Sequence, residues 1–177
     1  MLATGIDLRR GCSDRPGSLA VDMATGTAPS VPPARRLLGL TWRERALLVE
    51  AGVWLAAARL VVVAVPFRWL VPRLGAHMAE SPPAGDAARL AGIGWAIRAV
   101  ATRTPWRSMC LEQAITAKAM LRRRRIPNTL YLGLTRAPAG GERPIVAHAW
   151  LRSGDVHVTG GAQVGRYAVV STFADPG

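Results

Sequence analysis

Lysine is almost missing from this chain of 177 residues: Lys118 is the only one, although Lys and Arg together number 23. Acids are scarce as well, with 11 Asp plus Glu, so the formal net charge is +12 and nearly all of the excess is guanidinium. That balance favours acidic partners: an anionic membrane face, an acidic peptide or nucleic acid. Nucleic acid fits poorly, because the sequence has no aromatic-interleaved basic stripe and no reading motif. Cysteine is rare too, with only Cys12 and Cys110. Two cysteines make no framework of the secreted type, which excludes a disulfide scaffold and points to a reducing, cytoplasmic setting. Histidine is limited to His77, His148 and His157, so any general base has three candidates. No metal or cofactor is expected.

Long apolar runs are few, and the exception is informative. Residues 1–36, with "GCSDRPGSLAVDMATGTAPSVPP", lack the apolar stretch of a secretory signal and read as a disordered tail. Residues 37–177 then form one domain, a length that can bury a real core. The run "ALLVEAGVWLAAARLVVVAV" at 46–65 has about the length of a membrane span. It contains Glu50 and Arg59, however, and charges at mid-membrane are costly. Leu47, Leu48, Ala51, Trp54, Leu55, Ala58, Val62 and Val65 recur at helical spacing, which predicts a soluble amphipathic helix with contact to a membrane surface left open. Thr41 and Glu44 form a capping-box pair at its start, and Pro66 ends it.

After a short segment at 66–75 and the loop "ESPPAGDA", Asp86 caps a helix to about Val100, with Leu90, Ile93, Ile97 and Val100 inward. Another helix opens near Cys110, with Ser108 as N-cap, and runs to about Arg125 before "IPN" closes it. The texture then changes. "TLYLGL" (129–134), "IVAHAWLR" (145–152), "DVHVTG" (155–160) and "RYAVVSTF" (166–173) read as strands, the middle two as a hairpin. Helices first and strands after predict an α+β domain with an antiparallel sheet.

Cys110 admits two readings. Cys110, Ala114, Ala117 and Leu121 share one helix face, as a packed, inert thiol would. Cys110 also falls in the first helical turn, where exposed N–H groups and the helix dipole favour a thiolate, and Arg107 adds positive charge. A nucleophile needs a base. His148 is placed mid-strand in "IVAHAWLR", where a histidine pointing at a core is costly unless something bonds it. His77 reads as a loop residue and His157 as an ordinary strand residue. A Cys at a helix start with a His on a later strand is a nucleophile–base arrangement.

"PWRSMCLEQAITAKAMLRRRRIPNTLYLGL", with "AHAWLRSGDVHVTGG" and "YAVVSTF", resembles the B2-type proteins of lasso peptide biosynthesis. These are transglutaminase-like, papain-type cysteine peptidases that remove the leader from a ribosomally made precursor peptide. The resemblance covers about residues 37–173. It implies a transglutaminase-like core, Cys110 as nucleophile and His148 as general base. It also implies three partners: the precursor peptide, a separate leader-binding protein of the B1 (RRE) type acting in trans, and a lasso cyclase.

The resemblance further implies an Asp on the strand after the His, and here the chain departs from the pattern. A two-residue turn at Ser153-Gly154 would set Arg152 opposite Asp155, Trp150 opposite His157 and His148 opposite Thr159. Thr159, Gly160 and Gly161 offer no acid, and Asp155 would lie roughly 13 Å away at about 3.3 Å per residue. Thr159 and Gln163 are therefore the candidates for third member. Trp106 is a candidate indole donor to an oxyanion, or a packing residue. The run "RRRR" at 122–125 reads as a solvated helix end, with phosphate or leader-acid binding as the other reading. Two rivals to a peptidase remain: an acyl transferase of the same fold, and a non-enzymatic basic module on a membrane surface or peptide.

Overall fold

A computed structural model of the chain describes residues 39–82, 86–137, 145–162 and 164–177. The expected tail and Gln163 lie outside the described residues. Helix α1 (Trp42–Ala64) opens as expected. The Thr41 hydroxyl accepts from the Glu44 N–H at 3.3 Å, and the Glu44 carboxylate accepts from the Thr41 N–H at 2.8 Å. Ala51, Leu55, Ala58 and Val62 form its buried side. By length and composition α1 could cross a membrane. A short helix α2 (Phe67–Leu70) and a 3-10 turn follow.

His77 is not in a loop. It belongs to β1 (Ala76–His77), which pairs antiparallel with the last strand, and its Nε2 lies 2.8 Å from the Ser171 hydroxyl. Helix α3 (Ala87–Ala101) is capped by Asp86, which accepts from the Ala88 N–H at 2.9 Å. Leu90, Ile93 and Ile97 are buried as expected, and Val100 is half-buried.

Helix α4 (Cys110–Arg122) starts behind Met109, one residue later than a Ser108 cap would give. The Ser108 hydroxyl is instead 3.1 Å from that of Thr104, and the Glu112 carboxylate takes the Met109 N–H at 3.2 Å. The helix stops short of Arg125, which adopts a left-handed φ of 52°. The small Ala114 and Ala117, both fully buried, let α4 approach the sheet closely.

Four further strands follow: β2 (Asn128–Arg136), β3 (Ile145–Ser153), β4 (Val156–Thr159) and β5 (Ala168–Asp175). With β1 they form an antiparallel sheet in the order β1-β5-β2-β3-β4, an α+β domain. Leu130, Leu132, Ala149, Leu151, Val158 and Phe173 join the helices in one core. The alternate positions Tyr131, His148 and Trp150 project to the other face, where Tyr131 and Trp150 stack at 5.4 Å.

The hairpin register differs from expectation. Ser153 stays in the ladder opposite Val156, so Gly154-Asp155 is the turn. Two things select it. The buried Ser153 hydroxyl donates to the Pro127 carbonyl at 2.6 Å, and Gly154 takes a left-handed φ of 54° without a Cβ penalty. Arg152 then faces His157. One further residue in β4 bulges the ladder, so Thr159 faces Leu151 rather than His148.

Two ion pairs bind α1 to α4 and the turn behind it: Arg59 to Glu112 at 2.8 Å and Arg124, just past the end of α4, to Glu50 at 2.5 Å. Arg122 pairs with Asp175 at 2.5 Å. Two arginines of the "RRRR" run are thus structural partners rather than a wholly solvated end. Lys118 is buried, donating to Asn128 Oδ1 at 3.0 Å and the Phe173 carbonyl at 3.1 Å. Burial is the main cause that pushes its pKa down to about 8, with the Asp175 carboxylate opposing and Arg122 assisting.

Candidate active site

Cys110 is the first residue of α4, half-buried against the core. Its turn is held rigidly. The Thr104 hydroxyl donates to the Ala101 carbonyl at 3.0 Å, and the Gln113 amide donates to the Ser108 carbonyl at 3.2 Å. The first-turn N–H groups of α4 give this end a partial positive charge. Glu112, fully buried two residues on, works against an anion there, and Arg59 from α1 balances its charge. That balance is a feature of the site that sequence reasoning missed. The one available signal was Arg59, a charge in an apolar run whose partner lies 53 residues away.

His148 stands on β3, the strand on which α4 packs through Ala149 and Leu151. Its Nε2 is 2.8 Å from the Gly160 carbonyl oxygen. A carbonyl only accepts, so Nε2 carries the hydrogen and the neutral ring keeps its basic lone pair on Nδ1. The ring is stacked against Tyr167 at 4.8 Å and Trp150 at 5.8 Å. Gly133, its partner on β2, makes room for this packing. A Cβ there would meet the Trp150 ring at 2.8 Å and the Tyr167 Cβ at 2.9 Å.

The β3–β4 ladder ends at the Leu151–Thr159 pair. His148 therefore lies beyond the last rung, on a stretch of β3 whose outer edge β4 does not cover. The group that meets the His148 Nε2 is the backbone carbonyl of Gly160, not a carboxylate. Gly160 itself has φ 68°, and a Cβ there would come within 2.6 Å of the Ala149 carbonyl.

Of the two candidates for third member, Thr159 is buried and its hydroxyl has no hydrogen-bond partner among the described residues. It does not bond the imidazole, because the bulge turns it towards the Leu151 side. Gln163 lies outside the described residues. The Trp106 indole N–H is likewise buried without a hydrogen-bond partner among the described residues. His157 is exposed opposite Arg152. Partial desolvation and the nearby guanidinium lower its pKa. Among the described residues no group of three or more His, Cys, Asp or Glu could hold a metal ion.

The structure thus places a half-buried thiol at the start of α4 and an imidazole held by the Gly160 carbonyl on β3, within one α+β domain. The sequence profile of the Transglutaminase-like superfamily matches residues 61–172. The chain belongs to that superfamily, which includes cysteine peptidases and acyl transferases. Comparison with curated proteins and with solved structures gives no match.

Proposed function

We propose that the protein is a cysteine peptidase that removes the leader from a ribosomally made lasso precursor peptide, with Cys110 as nucleophile and His148 as base. The observation that carries this reading is the Nε2–Gly160 bond, which orients a neutral ring with Nδ1 as its base. Superfamily membership and the resemblance of the Cys110 and His148 blocks to B2-type leader peptidases support it.

In this mechanism the thiol proton passes to His148 Nδ1, and the thiolate attacks the scissile carbonyl at the leader–core junction. The oxyanion is held by N–H groups of the α4 start, with the Trp106 indole as a further donor. His148 then protonates the leaving amine, and a thioester remains on Cys110. Water, deprotonated by His148, cleaves the thioester and releases the free acid and thiol. The Gly160 carbonyl orients the imidazolium but stabilises its charge less than a carboxylate would, so the chemistry is slowed without being lost.

Leader recognition falls to a separate leader-binding protein in trans, and a cyclase acts next on the freed core in the cytoplasm. The test is cleavage of the precursor followed by mass spectrometry, with and without the leader-binding protein. Wild type should cut, faster with the partner because it concentrates the leader at Cys110. Cys110→Ala should leave helix content and melting intact and abolish cleavage. Full cleavage by Cys110→Ala would end the proposal. Amide or ester products formed with added amine in place of water would favour the acyl transferase.

A further inference from the structure

Helix α1 buries only one side. Its other face carries Trp42 at 74%, Val49 at 68%, Val53 at 64% and Leu60 at 69% exposure, and Trp69, on α2 just behind the C-terminal end of α1, is 59% exposed. The helical repeat puts Trp42, Val49, Val53 and Leu60 on one stripe, and 23 residues give it a length of about 34 Å. Among the described residues nothing covers it. Both ends of the stripe are alike. Trp42 stands with Arg43, whose guanidinium lies 5.8 Å from the indole centroid, and Trp69 stands with Arg68 and Arg73. Beside Trp69 is a hollow of about 420 Å³ whose lining includes Val61, Pro66, Leu70 and Arg73. The two acids near the stripe are engaged: Glu44 in the N-terminal cap and Glu50 with Arg124. The superfamily match begins at residue 61, so most of this stripe precedes it.

We propose that this face of α1 seats the protein in the plane of an anionic lipid surface. An apolar stripe with indoles at both ends and arginines beside them matches the acyl–headgroup boundary, with the guanidinium groups on lipid phosphates. The hollow beside Trp69 receives the end of an acyl chain. A second copy fits less well, because antiparallel pairing would bring Arg43 of one molecule against Arg68 and Arg73 of the other. Spanning is excluded by the opposite side of the same helix. Ala51, Leu55, Ala58 and Val62 are in the core, Arg59 is tied to Glu112 of α4, and Glu50 is tied to Arg124 just past its end. The helix cannot enter the bilayer without breaking both ion pairs and leaving the domain.

The experiment is co-sedimentation of the full chain with vesicles of phosphatidylcholine alone, or with one-third phosphatidylglycerol, at low and high salt. Binding should be at least about tenfold tighter to the anionic vesicles and should weaken with salt. The double variant Val53→Glu, Leu60→Glu, both changes in exposed positions, should lose about tenfold or more while melting like wild type. Arg43→Gln with Arg68→Gln should lose a similar factor on anionic vesicles only. Equal binding to both vesicle types, or none, would overturn the proposal. So would protein that resists extraction by alkaline carbonate, because it then spans. A dimer in sedimentation equilibrium that the double Glu variant dissolves would assign the face to a second copy instead.

Discussion

Replacing Gly160 by Ala tests the arrangement that holds His148. Gly160 has φ 68°, a left-handed conformation that costs an L-residue with a Cβ about 1 kcal/mol. The new Cβ would also lie 2.6 Å from the Ala149 carbonyl oxygen and 2.8 Å from the Trp150 Cβ, and neither is the free end of a flexible chain. Overpacking of that kind adds about 2 kcal/mol. The sum, about 3 kcal/mol, corresponds to a fall in melting temperature of roughly 6–12 °C for a domain of this size. The backbone must shift to relieve the contact, and that moves the carbonyl that His148 Nε2 now meets at 2.8 Å. Loss of one such bond costs about 1 kcal/mol and frees the ring to turn, so single-turnover cleavage should slow by about fivefold or more. Gly165→Ala is the control in the same connection. Its Cβ would meet nothing within 4 Å, so stability should stay within about 0.5 kcal/mol. Gly160→Asp carries the same Cβ and should not restore the acid that the resemblance leads one to expect. If Gly160→Ala melts with wild type and cleaves at full rate, the Gly160 carbonyl is not what orients His148.

Thr159→Val should be neutral or stabilising by up to about 1 kcal/mol, because it removes a buried hydroxyl without a hydrogen-bond partner among the described residues; denaturant melts and unchanged cleavage check this, and a large loss of rate would return Thr159 to the site. Stability should rise with pH through the Lys118 titration. Its folded pKa of about 8 lies below the unfolded 10.5, so the charged form is penalised in the fold at every pH below 8, and the penalty fades between 8 and 10.5. Urea melts at pH 7 and pH 10 should differ by about 2.5 kcal/mol from this group, and Lys118→Met should remove the rise.

Much of the fold was legible along the chain because the signals are local. Thr41 and Glu44 at N-cap spacing, the apolar repeat of α1, Asp86 before α3 and the alternation in β2 and β3 each act within one element. Their physical causes, capping and burial of one face, need no knowledge of neighbours. The two residues of the proposed chemistry could be singled out for the same reason, by a thiol at a helix start and a histidine inside a strand.

What only the tertiary structure decided are the relations between elements. The Ser153 hydroxyl bonds Pro127, 26 residues before it, and this moves the turn by one residue. With the β4 bulge it replaces Thr159 by the Gly160 carbonyl as the partner of His148. Arg59 looked like a charge stranded in an apolar run until Glu112 met it from another helix. The same pairing holds α1 against the domain, which turns a stretch long enough to span a bilayer into one whose outer face alone is free to meet it. Sequence periodicity reports which side of a helix is apolar. The repeat of Ala51, Leu55, Ala58 and Val62 picked out the side of α1 that is buried, whereas packing against α3 and α4 shows that the apolar residues of the other side stay exposed.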